Sequence, residues 1–527
     1  MHSLLRVMGW RAQREGRCCF LYRTIDKCYI IFCLNNRLVK NAISSLTRGG
    51  ATALVALVLP PVLVRHMPTA SYSVWVLALQ AAAYIAYLDV GLQAAVGRYV
   101  AYANEKRDAA LRDGIFSSAL VGLSLAAAVG FLLVLGIALA AHRVFPAIPP
   151  ALLPSLRFVM LVVGAATALS LPGSAWSGIF IGIQRYEIPA IAIGSGRLLG
   201  AIGLIWAAVT GQSLALMAIL MALASLYTYG LQIFLQRRML PEIHFHPSLI
   251  TRPVVRELSG YCFSLTIWSL SMLLVNGLDL ILVGRFQFSA VTPYAVSATL
   301  ITFLAGMQNA IFGVIMPHAA ELHANENPTA IGHLLVKSTR LGVLLLLIFG
   351  LPLIAVAPLL IRLWIGPQFA VEGGRILTIL VIANMIRLTG TPYASILLGT
   401  GEQKQVILGP LSEGITNLIA SIALGWKFGA IGVAWGTLIG GIVGILMALV
   451  YSTSRTQKNI RVGRFKLIGQ GVLVPCLILI PAALLALIWT KYRFGTPDAG
   501  PMLVCAPSIA LGLIFFFRTS RSPGEIR

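Results

Sequence analysis

The candidate ionisable side chains within the long apolar runs of this chain are Arg48, Asp89, Arg197, Asp279, Arg387 and Glu413. A charge in hydrocarbon is costly, so each is expected to face a protein interior or a wet cavity. Arginine presents a fork of donors that suits pyrophosphate and carboxylate oxygens. Arg197 and Arg387, near the middle of their runs, are therefore the leading candidates for holding an anionic substrate, with Arg48 as a third. Asp89, Asp279 and Glu413 are the candidates for coupling an ion or pairing with a cation. At ~1.5 Å per residue, Arg48 lies roughly 9 Å and Asp89 roughly 12 Å from the same end of two adjacent runs. They are expected to be neighbours, either as a structural pair or as part of a site. Glu413 sits at a depth comparable to Arg197. A cation of one half facing an anion of the other would suit a central cavity; a buried pair between adjacent helices is the alternative. Asp279, near the far end of its run, reads as a gate, an ion site or a solvated rim residue.

Apolar helices must position these groups. Apolar residues make up 58% of the 527 and charged residues 11%, against about 25% charged in ordinary globular proteins. Such a chain cannot cover a soluble surface, and a mean hydropathy of +0.87 agrees. Runs long enough to cross about 30 Å of hydrocarbon alternate with short polar joints. They fall near 42–65, 73–97, 115–141, 155–182, 188–210 and 214–235, then near 258–284, 294–317, 339–365, 375–399, 406–426 and 431–452. A last pair lies near 467–490 and 501–518. The fold class is an all-α membrane protein of about fourteen transmembrane helices, numbered below as spans 1–14.

The net charge is +23. In a soluble protein that would suggest nucleic acid. Here the basic residues lie between the runs and follow the positive-inside rule, so no nucleic-acid partner is expected. With the N-terminus cytoplasmic, 28 of the 40 Lys and Arg fall in cytoplasmic segments and about 6 in outer ones. That bias places both termini inside. It also supports an even number of spans, because one missed helix would reverse the sign downstream. Residues 1–40 carry eight Lys or Arg and no run of spanning length. They read as a disordered extension or a start-site artefact, or else as a basic tail for an anionic membrane face. The seven cysteines show no CxxC spacing and indicate neither a disulfide framework nor a zinc site. No Walker, GxSxG or HExxH motif occurs, no soluble domain interrupts the joints, and neither an enzyme nor a cofactor is expected.

The chain repeats weakly at an offset of about 216–222 residues. Tyr72-Ser73-Val74 opens span 2 and Tyr294-Ala295-Val296 opens span 8. Gly182, before Gln184-Arg185, matches Gly399, before Gln403-Lys404. Six spans per repeat is an even number, so the halves share an orientation and are related by an axis along the membrane normal. The expected organisation is a tail (1–40), an N-lobe of spans 1–6 (41–240), a cytoplasmic linker (241–257) and a C-lobe of spans 7–12 (258–455). Spans 13–14 (467–518) are an appended pair before a cytoplasmic tail (519–527). The substrate path would run between the lobes. Pro60-Pro61, Pro172-Gly173, Pro352 and Pro392 mark the expected kinks.

Some of these residues carry a family resemblance. Tyr72-Ser73-Val74-Trp75, then Tyr87-Leu88-Asp89-Val90-Gly91-Leu92 and Arg98-Tyr99, resemble the Wzx-type O-antigen flippases and related polysaccharide exporters of the multidrug/oligosaccharidyl-lipid/polysaccharide superfamily. Ser73 stands where that pattern usually has Gly. Asp279-Leu280-Ile281-Leu282, Gly399-Thr400-Gly401-Glu402 and Gly429-Ala430-Ile431-Gly432-Val433-Ala434-Trp435-Gly436 resemble the second lobe, and the likeness runs over about 42–455. It implies two six-helix lobes around a central cavity. It implies an undecaprenyl-pyrophosphate-linked oligosaccharide as substrate and partner, moved across a bacterial inner membrane by alternating access for O-antigen, capsule or exopolysaccharide assembly. It also implies membrane lipid around the chain, and polymerase and chain-length proteins as pathway partners. Spans 13–14 resemble the extra pair of the lipid II flippase branch. A lipid II flippase, or a drug or solute antiporter of the same fold, is the alternative. Arginines at mid-depth argue against a cationic drug, because like charges repel strongly in low dielectric.

Overall fold

The computed structural model describes residues 55–479, apart from 90, 257, 260–261, 263–270, 272 and 276–277. Arg48, the tail 1–40, the interior of span 7, and spans 13–14 beyond residue 479 lie outside the described residues. The described residues form helices and connecting turns, with no strand among them. Nine helical stretches among them are long and apolar enough to cross a membrane, and Val55–His66 is a shorter apolar helix. One of the nine, Leu408–Thr456, carries both span 11 and span 12, folded back at Gly429 (φ 59°, ψ −139°). Only a residue without a side chain enters that conformation cheaply. Leu125, Leu132, Ile202 and Trp206 stand exposed on the outer helix faces. In water such a belt would be unstable; against lipid it is the expected surface, and the chain is a multi-pass membrane protein.

The helices gather into two groups. In the first, Leu153–Gly182 (span 4) packs on Ala109–Leu139 (span 3), on span 2 and on Leu214–Met239 (span 6), while Glu187–Val209 (span 5) lies on span 6 at the flank. In the second, span 10 packs on spans 8, 9, 11 and 12. The groups touch where span 2 meets span 8 and the end of span 7, Asp279–Phe286. Close helix contact without a hydrophobic driving force needs small residues. At Gly178 an added Cβ would lie 2.8 Å from the Val96 side chain, so spans 2 and 4 pack closer than any larger residue allows.

The weak sequence repeat is written into the backbone. Left-handed residues recur at Arg107 and Glu326, at Gln184 and Gly401, and at Gly211 and Gly429, with separations of 219, 217 and 218. Helix caps recur as well. The Asp108 carboxylate accepts from the Leu111 N–H at 2.9 Å, and the Asn327 side chain accepts from the Ala330 N–H at 3.0 Å. Each cap satisfies an amide that the first helical turn leaves open.

The breaks fall elsewhere than at the prolines. Helices run on through Pro172 and Pro352. Pro392 lies in the first turn of Thr391–Thr400, where a missing N–H costs nothing. Span 2 instead breaks after its 3₁₀ turn Tyr84–Asp89, ahead of Gly91 (φ 76°), and span 8 breaks at the repeat-equivalent Gly313–Val314. Span 10 breaks at Thr389–Gly390. A proline deletes one hydrogen bond, which packed neighbours tolerate, whereas the left-handed Gly91 redirects the chain; the breaks at Gly313–Val314 and Thr389–Gly390 keep right-handed angles. Span 9 also shifts: its helix is Pro328–Ala355, and a separate short helix, Ala357–Ile365, follows. Helices continue past the hydrocarbon to their caps, which hydropathy does not register.

Candidate transport cavity

A cavity of about 850 Å³ lies between the helix groups. Span 2 contributes Gln80 and Tyr87; the second lobe contributes Asp279, Tyr294, Asn384, Arg387, Glu413 and Thr437. On the charge-poor side, spans 2 and 8 close over it through a buried hydrogen bond between Ser73 Oγ and Thr292 Oγ1 at 2.9 Å.

Arg387 and Glu413 meet across adjacent spans 10 and 11. Arg387 Nε stands 3.9 Å from Glu413 Oε1, with side chains 17% and 13% exposed. Span 12 makes room for the acid. An added Cβ at Gly444 would lie 2.5 Å from Glu413 Oε2 and 2.8 Å from its Cδ. The pair is loose by hydrogen-bond standards, which leaves the guanidinium able to turn toward another anion.

Asp279 is held by three other spans. It accepts from the Thr437 hydroxyl at 2.9 Å, the Tyr294 hydroxyl at 3.3 Å and the Asn417 amide at 3.4 Å. Asn417 also donates to the Val275 carbonyl at 3.0 Å and accepts from Ser421 at 3.1 Å. Arg387 lies within electrostatic reach of Asp279, Glu413 and Tyr87. Charge and neutral dipoles thus share one connected network, in which each buried group depends on the others. Among the described lining residues there are one arginine and two carboxylates. No group of three or more His, Cys, Asp or Glu placed to hold a metal occurs among the described residues.

The remaining candidates lie apart. Asp89 accepts from the Gln93 N–H and the Ser174 hydroxyl, each at 3.4 Å. It ties the break in span 2 to span 4 and is not a lining residue. Its expected neighbour, Arg48, lies outside the described residues. Arg197 is exposed on span 5, next to exposed Leu198 and Leu199, and does not line the cavity. It acts electrostatically on Tyr229, as Asp89 does. Glu413 therefore meets Arg387 of its own lobe rather than Arg197 of the other. Spans 10 and 11 lie side by side, while span 5 sits on the flank of span 6.

Counting only formal charges overlooks the groups that hold Asp279 and the amide of Asn384. Asn384 is 3% exposed and lines the cavity one turn from Arg387, and its Oδ1 has no hydrogen-bond partner. A signal was present. Asn384 and Arg387 are three apart, and Glu413, Asn417 and Ser421 are four apart, so each set marks one polar stripe on an apolar helix.

Residues 38–323 match the family described as polysaccharide biosynthesis protein. No curated protein matches the chain. Among solved structures, the lipid II flippase MurJ in an inward closed conformation is similar with a TM-score of 0.72 at 12% identity, covering 91% of this chain and 99% of that one. An inward-facing multidrug resistance MATE family transporter of the MOP superfamily gives 0.60 at 13%, covering 79% and 95%. A MOP superfamily transporter from Pyrococcus furiosus, described by a reversed polarity of its binding pocket, gives 0.55 at 15%, covering 80% and 96%. The fold is that of the MOP superfamily transporters.

Proposed function

We propose a function from one premise: this chain belongs to the polysaccharide biosynthesis protein family. The function is that of a flippase. It moves undecaprenyl-pyrophosphate-linked oligosaccharide repeat units across a bacterial inner membrane, with both termini cytoplasmic, for O-antigen, capsule or exopolysaccharide assembly. The observation that carries this reading is the 850 Å³ cavity shared by the two lobes, with Arg387 in its wall. A family named for polysaccharide synthesis and a fold shared with a lipid II flippase support it.

Arg387 would meet the pyrophosphate, trading a 3.9 Å contact with Glu413 for shorter, charge-assisted bonds to phosphate oxygens. Arg48 remains a proposed contributor on the N-lobe side, while Arg197, proposed from its depth alone, would reach the cargo only if span 5 moved inward during the cycle. Asp279 and Glu413 are the proposed groups for coupling the cycle to an ion, and Asp89 for joining span 2 to its neighbours. Polymerase and chain-length proteins of the same pathway are the proposed partners. Replacing Arg387 by Ala and by Lys tests the reading. Lipid-linked repeat units should accumulate in cells carrying the Ala variant at normal protein level. Unchanged export in both variants would reject a cavity that works by anion capture.

The lining carboxylates favour one rival, an antiporter of cationic drugs or other solutes, since Asp279 and Glu413 could hold a cation. Resistance of cells to cationic dyes, with dye binding to the purified protein, would select it. Rescue of peptidoglycan synthesis in cells lacking their lipid II flippase would select a lipid II substrate.

A further inference from the structure

The side of the protein poorest in charge is closed by contacts that a reading of topology passes over. Arg65, in the last turn of Val55–His66, donates from Nη2 to the Leu363 carbonyl at 2.6 Å. Arg285, in the last turn of Asp279–Phe286, donates from Nη1 to the carbonyls of Arg143 and Val144 at 3.0 and 3.1 Å. Each bond crosses from one lobe to the other. Each acceptor lies in the last turn of a short helix, Ala357–Ile365 or Ala141–Val144. Carbonyls there lack partners within their own helix and stand at the negative end of its dipole. A guanidinium is suited to such an acceptor.

These contacts are images of one another. Arg65 and Arg285 are 220 residues apart, and Val144 and Leu363 are 219 apart. Both separations lie within the 216–222 offset of the sequence repeat. The end of span 1 clasps the end of span 9's short helix, and the end of span 7 clasps the corresponding helix after span 3. Between the clasps, on the seam of spans 2 and 8, lies the buried Ser73–Thr292 bond at 2.9 Å. Neither arginine has an ion pair among the described residues, so no acid competes for it there. Trp364 adds a bond from its indole N–H to the Leu57 carbonyl at 3.2 Å beside the first clasp. The equivalent position on the other side is Phe145, which cannot donate.

We propose that Arg65 and Arg285 are the two halves of a gate: reciprocal arginine clasps, related by the internal repeat, that hold the cavity shut on its charge-poor side and must both release before cargo leaves there. The inference rests on the alternating-access reading above. A single latch would let the lobes pivot about it. Clasps on both sides of the seam resist tilting in either sense, so the lobes part together or not at all. Arg285 is placed by a helix that also frames the cavity, Asp279–Phe286, through Asp279 itself. Release of a clasp and rearrangement around Asp279 therefore act on one short element.

The test uses the full-length protein in membranes. Ala298, a cavity-lining residue with no part in the clasps, is changed to Cys. Its modification by a membrane-impermeant maleimide is followed separately from each side, after subtracting the labelling of the native cysteines. Arg65→Ala or Arg285→Ala should each raise labelling from the charge-poor side by about two- to fivefold, in nearly equal measure, as loss of one partly exposed charged contact allows. The double variant should raise it further and lower labelling from the opposite side, because the states exchange population. Where an Ala variant does not accumulate, Gln replaces it, since its single amide cannot fork. Unchanged labelling in the double variant would overturn the gate. So would a rise on both sides, which signals loosening, or a large effect of one arginine and none of the other, which breaks the reciprocity. The assay contains no substrate, so a wrong flippase assignment would leave its outcome intact.

Discussion

The two lobes share a scaffold and differ in chemistry. A shift of 218, the separation of Gly211 and Gly429, carries Arg387 onto Leu169, Glu413 onto Ser195 and Gly444 onto Leu226. Where the C-lobe has a cation, an acid and a gap that admits the acid, the N-lobe has an apolar side chain, a hydroxyl and another apolar side chain. Ser195 spends its hydroxyl on its own helix, donating to the Ile191 carbonyl at 2.7 Å. Asp279 likewise draws its donors from C-lobe spans 8, 11 and 12. What the repeat preserves is the set of turns, caps and clasps. What it abandons on one side is the cluster of charge.

That contrast can be broken by mutation. The largest effect is expected from Arg387→Ala, which leaves Glu413 and Asp279 facing a low-dielectric cavity without their cation. Export should fall by at least tenfold, and stability by about 2–3 kcal/mol after discounting for partial exposure. Adding Glu413→Gln should restore the thermal midpoint but not export; recovery of both would mean the pair is structural only. Arg197→Ala, measured beside it, asks whether the N-lobe cation shares the work. Gly444→Ala comes next. It forces Glu413 aside and should cost about 1–3 kcal/mol in thermal unfolding, whereas the N-lobe already carries Leu226 at that place. Thr437→Val removes the shortest donor to Asp279 and should cost about 1 kcal/mol, with export reduced severalfold. The smallest effect belongs to Ser195→Ala, within about 0.5 kcal/mol and with normal export. A loss of export there comparable to that of Arg387→Ala would erase the difference between the lobes.

Much of this architecture was legible along the chain. Described helices correspond to spans 1–6 and 8–12, within a few residues at most ends, because hydrocarbon thickness sets a length that hydropathy reads directly. The repeat was legible as well, though only as scattered matches; the paired left-handed residues at 107 and 326, 184 and 401, and 211 and 429 give it a physical basis. Kinks were less legible. Proline is conspicuous in a sequence, but the chain turns at Gly91, Gly429 and Thr389–Gly390, where packing selects the conformation. The candidate site was half visible. Its charges stood out from the apolar background, but Asn384, Asn417 and Thr437 did not, since neutral polar residues are common in membrane helices.

The sequence alone determined that this is a multi-pass membrane protein with an internal repeat, because those properties depend on composition, run length and the order of polar joints. Only the tertiary structure decided which buried charges meet. Depth in the bilayer is a one-dimensional quantity, and Arg197, Arg387 and Glu413 all have suitable depths. Whether they touch depends on which helices are neighbours and which face each turns inward. Span 10 beside span 11, with Gly444 leaving space on span 12, brings Arg387 to Glu413. The flank position of span 5 leaves Arg197 outside the cavity.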